Sequence, residues 1–382
     1  MSEIEVILEN QLSDDPPILT MTQAVLLYEK APLNDLLFVA NKIREKRVPG
    51  RIVTYLIDRN INYTNICTIN CHFCSFYRPP GHEENYTQSI DQISQRISEL
   101  EKIGGSRILM QGGVNPDLGL EWYTNLITEL TVRHPTISLD CFSPIEIEGI
   151  AEVSGLTTME VLTEFKEAGM HGLPGGGAEM LVDSVRSGIS PLKGSAKNWL
   201  RVMEEAQEIG LTTSATNVFG FGETIEHRVE HMSEIRELQD RSISKGLTGF
   251  TSFIAWPVML ENNSFGRMNK GANRVDLGAG SVEYLRHVAV SRLFLHNISH
   301  IQASWPTMGL SVAEIALNAG ADDIGSTMME ENVVSASGST KTDASINELR
   351  DAIIEAGYIP FERDSDYNIL GEDTKNIQSV VG

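Results

Sequence analysis

Residues 60–74 read NINYTNICTINCHFC, and this stretch holds the features that decide the fold. Its first part, Asn60–Thr64, reads as a short β-strand. Three of the four cysteines in the chain, Cys67, Cys71 and Cys74, follow that strand closely. Clustered cysteines of this kind are typical of metal or redox sites rather than of a disulfide framework. The stretch therefore predicts a strand that leads directly into a metal-binding loop.

The spacing Cys67-x₃-Cys71-x₂-Cys74 fits an iron–sulfur cubane with one open iron. Three thiolates hold three irons, whereas a closed electron-transfer cluster normally takes four cysteines. A structural zinc site is one alternative, but His72 lies too close between Cys71 and Cys74 to complete a tetrahedron easily. A thioredoxin-like pair of Cys71 and Cys74 is another, and it would leave Cys67 unexplained. The fourth cysteine, Cys141, falls within a predicted strand, where we expect it to belong to the core.

Outward from this stretch, short β-rich runs alternate with longer segments of helical periodicity. The candidate strands are Asn60–Thr64, Arg107–Gln111, Ile137–Phe142, His171–Leu173, Thr212–Val218, Gly249–Trp256, His300–Ser304 and Asp322–Gly325. Helical segments lie between them, the first at Ile90–Ile103 and the last at Val312–Ala319. The alternation predicts the α/β class and a parallel (β/α)₈ TIM-type barrel, with a six-stranded partial barrel as the alternative.

The barrel is expected to occupy residues 51–342, with a shorter segment on each side. Residues 1–50 predict a helical N-terminal segment, with two short helices separated by Pro32. Residues 343–382 predict one helix, at about Ile346–Ala356, and an irregular tail packed on the barrel. Unusual sequences follow the predicted strands, and in a parallel barrel such loops meet at the C-terminal face. This arrangement predicts an enzyme that binds a small-molecule substrate.

Composition excludes several classes of partner. The 382 residues include 30 basic and 52 acidic side chains, so the formal charge of −22 disfavours nucleic acid and anionic membrane surfaces. No apolar run approaches the roughly 18–20 residues that cross a bilayer, and the first residues do not resemble a signal peptide. We therefore expect a soluble cytoplasmic protein; the sequence does not indicate its oligomeric state. His227 and His231 are expected on an exposed helix face.

The cysteine spacing, with Phe73 directly before Cys74, resembles the signature of the radical S-adenosylmethionine (SAM) superfamily. The resemblance implies a [4Fe–4S] cluster whose open iron takes the amino and carboxylate groups of SAM. It further implies that an electron cleaves the sulfonium and releases a 5′-deoxyadenosyl radical. An external electron donor of the flavodoxin or ferredoxin type is then required.

The same resemblance marks further residues as contacts to SAM. Gly112 and Gly113 end the second predicted strand, where paired glycines let the backbone approach the methionine amino group; a plain turn is the alternative. Gly220 and Glu223, in GFGE after the fifth strand, are similar to the element that lies along the adenosine. The other predicted contacts to the cofactor are Ser143, Glu179 and Tyr77.

Longer stretches, including DRNINYTN (58–65), FYR (76–78), LMQGGVNPDL (109–118) and STMMEENVVSASG (326–338), run in order through nearly the whole chain. They resemble the cyclic dehypoxanthine futalosine synthases of the futalosine route to menaquinone. Aminofutalosine synthase and the deazaflavin FO synthases share this framework. The chain departs from the expected pattern at FGET (221–224), AWPVM (255–259), Pro306 and Met308, so an altered substrate is the alternative.

The resemblance implies a cyclisation in which the adenosyl radical abstracts hydrogen from the ribose 4′ carbon and the sugar radical adds to the benzoate ring. Glu330 and Glu331 are the candidate catalytic carboxylates, and pairing with an arginine is their alternative role. The candidate substrate contacts are Arg78, Gln302, Trp305 and Thr327. A sister radical SAM reaction, or a non-catalytic iron–sulfur or zinc protein, are the competing functions.

Overall fold

The computed structural model describes residues 1–270, 277–330, 332–338 and 343–370. Within these ranges a single ten-stranded parallel sheet runs in the order β10-β1-β9-β8-β7-β6-β5-β4-β3-β2. Its strands are β1 (Ile52–Leu56), β2 (Asp58–Ile61), β3 (Arg107–Met110), β4 (Ser138–Cys141), β5 (Gly172–Leu173), β6 (Thr212–Phe219), β7 (Phe250–Pro257), β8 (His300–Gln302), β9 (Asp323–Ser326) and β10 (Ile359–Glu362).

Helices connect the strands, and three more precede the sheet. They are α1 (Glu3–Gln11), α2 (Met21–Lys30), α3 (Leu33–Arg47), α4 (Ile90–Glu101), α5 (Leu120–Arg133), α6 (Pro144–Ser154), α7 (Thr158–Ala168), α8 (Asp183–Ile189), α9 (Ala196–Glu208), α10 (Ile225–Ser244), α11 (Ser264–Met268), α12 (Ser281–Phe294), α13 (Trp305–Met308), α14 (Leu310–Leu317), α15 (Asn332–Ala336) and α16 (Ile346–Glu355).

Helix α4 illustrates why these segments fold as they do. The Gln92 N–H donates to the Ser89 hydroxyl at 3.3 Å, and the Ser89 N–H donates to the Gln92 side chain at 2.8 Å. This reciprocal capping starts the helix. Ile93, Ile97 and Leu100 recur at helical spacing and are fully buried. The helix therefore packs its apolar face on the sheet.

The sheet closes into a barrel where the chain passes directly from β1 into β2. β1 pairs with β9 on one side, and β2 pairs with β3 on the other, with Asp58 opposite Arg107. Thr327 extends the closure, because its hydroxyl accepts from the Asp58 N–H at 3.0 Å and donates to the Asp58 carbonyl at 2.8 Å. The predicted TIM-type barrel is thus confirmed, and its eight predicted strands correspond to β2 through β9.

The C-terminal segment differs from the irregular tail expected after its helix. β10 continues the sheet by pairing with β1, with Ile359 opposite Ile52. Pro360 lies inside this strand, and a proline in a short run argues against a strand assignment from sequence. β1 was missed as well, so the sheet has two strands more than the sequence predicted.

Residues 363–368, which we call the barrel floor, lie against the N-terminal ends of the strands. Arg363 pairs with Asp323 at the start of β9 at 2.6 Å. The Ser365 hydroxyl donates to Asp140 in β4 at 2.9 Å. The Tyr367 ring stacks on His300 at the start of β8, with 3.9 Å between centroids. The floor therefore joins several strands at one end of the barrel.

The N-terminal helices cover part of the barrel's helical layer. α2 ends just before Pro32 and α3 begins directly after it, as predicted. α1 precedes both helices. α2 packs on α10, and α3 packs on α12. In the described ranges we find no helix that combines the length and the apolar character needed to span a bilayer.

One expectation about α10 was wrong. His231 in α10 is fully buried rather than exposed, and its Nδ1 accepts from the Leu181 N–H at 2.9 Å. Because burial lowers the pKa of His231 to about 3, the ring is neutral at physiological pH. His231 lies on the side of α10 that packs against the barrel, where its ring centroid is 6.3 Å from that of Phe253 in β7.

Candidate active site

A cavity of about 410 Å³ runs down the inside of the barrel. Cys67, Cys71 and Cys74 line it at the C-terminal ends of the strands, and Asp140 and Ser365 line it near the floor. The cavity therefore extends from the cysteine loop to the N-terminal end of the barrel.

Backbone hydrogen bonds hold the cysteine loop on both sides. The Cys67 N–H donates to the Arg78 carbonyl at 2.9 Å. The His72 N–H donates to the Ile189 carbonyl at 3.0 Å, and the His72 carbonyl accepts from the Phe265 N–H at 2.7 Å. These bonds tie the loop to α8 and α11, so its position is set by the surrounding fold.

Gly113 allows the loop to approach the end of β3. A Cβ atom at this position would lie 2.1 Å from the Ile66 carbonyl oxygen and 2.7 Å from the Cys67 Cβ. Contacts so short do not occur, so any larger residue would displace the cysteine loop. Glycine is required here by the packing of the loop.

The three thiols line one cavity and affect one another's ionisation. Burial raises the pKa of Cys67, and the neighbouring Cys71 raises it further. Burial raises the pKa of Cys74 to about 12, again with a contribution from Cys71. Iron ligation replaces the thiol proton, so metal binding relieves this cost. Three soft thiolate donors on one loop fit a cubane cluster.

A cubane takes each cysteine on a different iron, which differs from three ligands on a single ion. In the described part of the chain, no group of three or more His, Cys, Asp and Glu side chains is placed to hold one metal ion.

A buried ion pair lies beside the cysteine loop. The Lys193 Nζ is 2.7 Å from Glu179 Oε2 and 5.0 Å from the centroid of the Phe73 ring. Burial acts to lower the pKa of Lys193, but Cys71 and Glu179 outweigh it and raise the pKa. Glu179 thus lies in the cavity as predicted, and it already has a cationic partner there.

Glu146 is a cavity carboxyl that the sequence analysis did not single out. Its side chain accepts hydrogen bonds from the Tyr63 hydroxyl at 2.7 Å, the Ser143 hydroxyl at 2.7 Å and the Gly112 N–H at 2.9 Å. Burial nevertheless raises the pKa of Glu146 to about 7. The spacing of Ser143 and Glu146 was the available signal, but that pattern marks a helix start wherever it occurs.

Most of the predicted site residues line this cavity. They are Cys67, Cys71, Cys74, Tyr77, Gly112, Gly113, Ser143, Glu179 and Gln302. They come from loops and strand ends that are far apart in the sequence. Their meeting at one cavity is the arrangement that a parallel barrel predicts.

The loop that carries Gly220 and Glu223 is organised differently from expectation. The Glu223 carboxylate accepts from the Gly220 N–H at 2.7 Å, the Phe221 N–H at 2.6 Å and the Arg228 Nε at 2.6 Å. Two of these hydrogen bonds lie within the loop itself, and the third joins the Glu223 carboxylate to α10. Neither residue is among the described residues on the cavity wall.

Three predicted substrate residues also lie outside the cavity wall as described. Arg78 pairs with Glu84 at 2.5 Å and donates to carbonyls of its own loop. Trp305 is 1% exposed and its Nε1 donates to the Ser326 carbonyl at 3.1 Å, which matches the core-filling alternative. Thr327 closes the barrel through its bonds to Asp58.

Glu330 lines a second, polar pocket next to the main cavity. Its Oε2 is 2.7 Å from Arg59 Nε and 3.3 Å from Arg96 Nη1, and Arg59 also pairs with Glu99 at 2.6 Å. The structure thus shows the arginine pairing that was the alternative for this residue. Glu331 lies outside the described residues.

Two family models match this chain. The radical SAM superfamily matches residues 61–235, which run from the end of β2 into α10 and include the cysteine loop. The CofH/MqnC C-terminal region matches residues 247–376, which cover the rest of the barrel and the floor.

Relatives of known activity align along nearly the whole chain. A cyclic dehypoxanthine futalosine synthase from Halalkalibacterium halodurans is 42% identical over 96% of this chain and 95% of its own length. A second, from Streptomyces coelicolor, is 38% identical over 92% of this chain and 86% of its own. A 5-amino-6-(D-ribitylamino)uracil–L-tyrosine 4-hydroxyphenyl transferase from Archaeoglobus fulgidus is 37% identical over 87% of this chain and 92% of its own.

Solved structures share the fold at low identity. The FeFe-hydrogenase maturase HydG from Carboxydothermus hydrogenoformans matches with a TM-score of 0.73 and 17% identity, covering 96% of this chain and 80% of that one. Methylornithine synthase PylB matches with a TM-score of 0.69 and 15% identity, covering 98% and 99%. The fold, the two matching models and the full-length relatives together show that this chain belongs to the CofH/MqnC family of radical SAM enzymes, whose cofactors are a [4Fe–4S] cluster and SAM.

Proposed function

We propose that this enzyme converts dehypoxanthine futalosine to cyclic dehypoxanthine futalosine in menaquinone biosynthesis. The observation that carries the proposal is the 42% identity over 96% of the chain to an enzyme of that name. Identity to the 5-amino-6-(D-ribitylamino)uracil–L-tyrosine 4-hydroxyphenyl transferases is 37% for the A. fulgidus protein and 34% for one from Methanococcus maripaludis.

Within this function, we assign Cys67, Cys71 and Cys74 as the cluster ligands, and Gly112 and Gly113 as backbone contacts to the methionine part of SAM. The placement of all five at one end of one cavity supports the assignment. When bound, the cluster and SAM supply the 5′-deoxyadenosyl radical. The protein's own task is to position the substrate and to exclude water and competing hydrogen donors.

The walls of the cavity suit that task. Ile254, Trp256 and Met259 give its sides apolar surface near the cysteine loop. The barrel floor closes the opposite end through the contacts of Arg363 and Tyr367. A substrate held between these boundaries is shielded from solvent on most sides.

We further propose that the electron donor is a flavodoxin or ferredoxin and that the enzyme acts in the cytoplasm. The three cluster cysteines are only partly buried, which supports an approach of the donor to the loop from outside. All four cysteines are free thiols, as is typical of proteins from a reducing compartment. Replacing dithionite by reduced flavodoxin or by reduced ferredoxin in the assay tests the donor. If neither protein supports turnover, the proposed donor is wrong.

The decisive assay incubates the anaerobically reconstituted protein with SAM, dithionite and dehypoxanthine futalosine. We expect the cyclic product together with one free 5′-deoxyadenosine per turnover. SAM labelled in its adenosyl group distinguishes aminofutalosine formation, because the label would then enter the product. Release of 5′-deoxyadenosine without cyclic product would contradict the substrate assignment and leave the radical SAM assignment intact.

The second candidate is a 4-hydroxyphenyl transfer from L-tyrosine to 5-amino-6-(D-ribitylamino)uracil. Its support is the full-length similarity to the archaeal transferases. The same protein preparation, supplied with those two compounds in place of dehypoxanthine futalosine, tests it. Product formation from this pair, and not from dehypoxanthine futalosine, would replace our proposal.

A further inference from the structure

The part of the cavity nearer the floor is polar, although barrel interiors are usually filled by branched apolar side chains. We call this part the lower chamber. Hydroxyl, amide and charged side chains from several strands line it. They include Asn60, Arg107, Asp140, Ser214, Ser252 and Gln302.

Two of these side chains are almost fully buried and keep an acceptor atom that no protein group satisfies. Asn60 is 7% exposed and Asp140 is 6% exposed, and in each the Oδ1 atom lacks a hydrogen-bond partner. The Nε of Arg107 lacks one too. Unsatisfied buried polar atoms are uncommon in native proteins because they are costly. Since all three residues border the cavity, a hydrogen-bonding ligand there would supply the missing partners.

The charges around the lower chamber decide the class of ligand. Arg107 lies 2.6 Å from Asp58 and 3.6 Å from Asp140, and Arg363 lies 2.6 Å from Asp323. Both cations are thus paired, and carboxylates outnumber them in this group. Burial raises the pKa of Asp140, which shows that negative charge is already disfavoured here. A carboxylate on the ligand would add a further negative charge to a group in which Asp58, Asp140 and Asp323 face only two arginines, whereas a neutral polyol would not.

Hydroxyl groups match the unsatisfied atoms. Each hydroxyl donates one hydrogen bond and accepts others, so a polyol can donate to Asn60 Oδ1 and Asp140 Oδ1 and accept from Arg107 Nε. A benzoate ring has no donor for the two acceptors. The ribose of dehypoxanthine futalosine has several.

We propose that the lower chamber binds the ribose hydroxyls of the substrate through Asn60, Asp140 and Arg107. The charged benzoate end is thereby directed away from the floor. This assignment rests on the proposed function, since it takes dehypoxanthine futalosine as the substrate.

The first test replaces Asn60 with alanine and compares the substrate with its 2′-deoxy and 3′-deoxy analogues. With the full substrate, Asn60→Ala raises KM roughly ten- to hundredfold, because one hydroxyl loses its partner. With the analogue that lacks the hydroxyl bound by Asn60, variant and wild type have the same KM. The circular-dichroism spectrum and the urea-unfolding midpoint of the variant stay at the wild-type values, which a general structural defect would not allow.

Asn297→Ala is the matched control. Asn297 also carries an unsatisfied Oδ1, but it lies in the loop before β8 and is not among the residues that line the cavity. Its KM for every analogue stays at the wild-type value. An unchanged KM for the full substrate in Asn60→Ala overturns the assignment, as does an equal loss with every analogue.

The second test is Asp140→Asn, which distinguishes a neutral ligand in the chamber from a negatively charged one. If hydroxyls occupy the chamber, the variant loses an acceptor and KM rises. If the benzoate carboxylate occupies it, removal of a negative charge lowers KM, and the assignment is wrong. If only water fills the chamber, KM does not change, which overturns it as well.

Failure of the proposed function can be distinguished from failure of the lower-chamber site. A wild-type protein that makes no cyclic product from dehypoxanthine futalosine contradicts the proposed function. A wild-type protein that makes the product, with Asn60 and Asp140 variants of unchanged KM, contradicts the lower-chamber site alone.

Discussion

The two ends of the barrel cavity are built in opposite ways. At the cysteine end, buried groups are held in an unfavourable environment, as the raised pKa values of Cys74 and Glu146 show. At the floor, buried charges are neutralised, with Arg363 against Asp323 at 2.6 Å. The difference indicates that the groups assigned to the cluster and SAM are concentrated at the C-terminal ends of the strands, whereas the floor is held by buried ion pairs. This separation is general for parallel barrels.

The largest expected effect comes from Cys71→Ala, at the cysteine end of the cavity. We expect complete loss of the cluster and of SAM cleavage, because two thiolates cannot hold the cubane with one open iron. Iron and sulfide content of the reconstituted protein and release of 5′-deoxyadenosine measure it.

The control for this substitution is Cys141→Ala. Cys141 is fully buried in β4 and is not on the described cavity wall. It should retain the wild-type iron content and SAM cleavage. Full iron content in Cys71→Ala, or its loss in Cys141→Ala, would show that the ligand set is wrong.

The cysteine end could be predicted from the sequence because it is contiguous. Cys67, Cys71 and Cys74 share one loop, and their spacing after a strand predicts a cluster. The floor could not, since its contacts join residues such as Arg363 and Asp323, which only the folded barrel brings together. β10 was missed for a local reason, because Pro360 argues against a strand in any four-residue run.

Isolated polar residues were the least predictable part of the site. Asn60 and Asp140 each stand on a different strand, and a single Asn or Asp in a strand has no spacing to indicate a cavity. Glu330 shows the reverse difficulty, because an acidic pair after a strand is equally consistent with catalysis and with an ion pair. Only the positions of Arg59 and Arg96 distinguish the two.

The floor can be tested through its buried ion pair. Arg363→Met should lower the free energy of unfolding by about 3–5 kcal/mol, because it leaves Asp323 buried without its cation. The midpoint of urea unfolding, measured on apo-protein, gives the change. Arg363→Met combined with Asp323→Asn should recover part of the loss.

An exposed pair provides the control. Arg201 lies 2.7 Å from Glu205 with 44% of its side chain exposed, so Arg201→Met should cost less than about 1 kcal/mol. If the two arginine variants were equally stable, the floor would not be the stabilising end of the barrel.

Glu146, at the cysteine end of the cavity, should make the stability of the protein depend on pH. Its folded-state pKa of about 7 lies above the ordinary 4.5, so its contribution to stability is present below pH 4.5 and is lost as the pH rises through 7. In wild-type apo-protein this carboxyl should remove roughly 3 kcal/mol of stability between these values. Glu146→Gln should flatten that part of the stability profile, measured by urea unfolding at a series of pH values.

Glu164→Gln removes the same charge from an exposed position of α7 and should leave the profile unchanged. A Glu146→Gln profile parallel to wild type would mean that the carboxyl is solvated, and the contrast between the two ends would be weaker than we describe.

The smallest expected effect comes from Gly113→Ala, which tests whether the cysteine end depends on fit. The new Cβ would lie 2.1 Å from the Ile66 carbonyl oxygen, so the loop must shift while its three thiols remain. A displacement of this order should slow SAM cleavage roughly ten- to hundredfold without removing the cluster. Gly188→Ala in α8 is the matched change, since a Cβ there meets no atom within 4 Å, and it should leave cleavage unchanged. Wild-type cleavage in Gly113→Ala would mean that the loop adapts freely, and the site would then depend on its ligands alone.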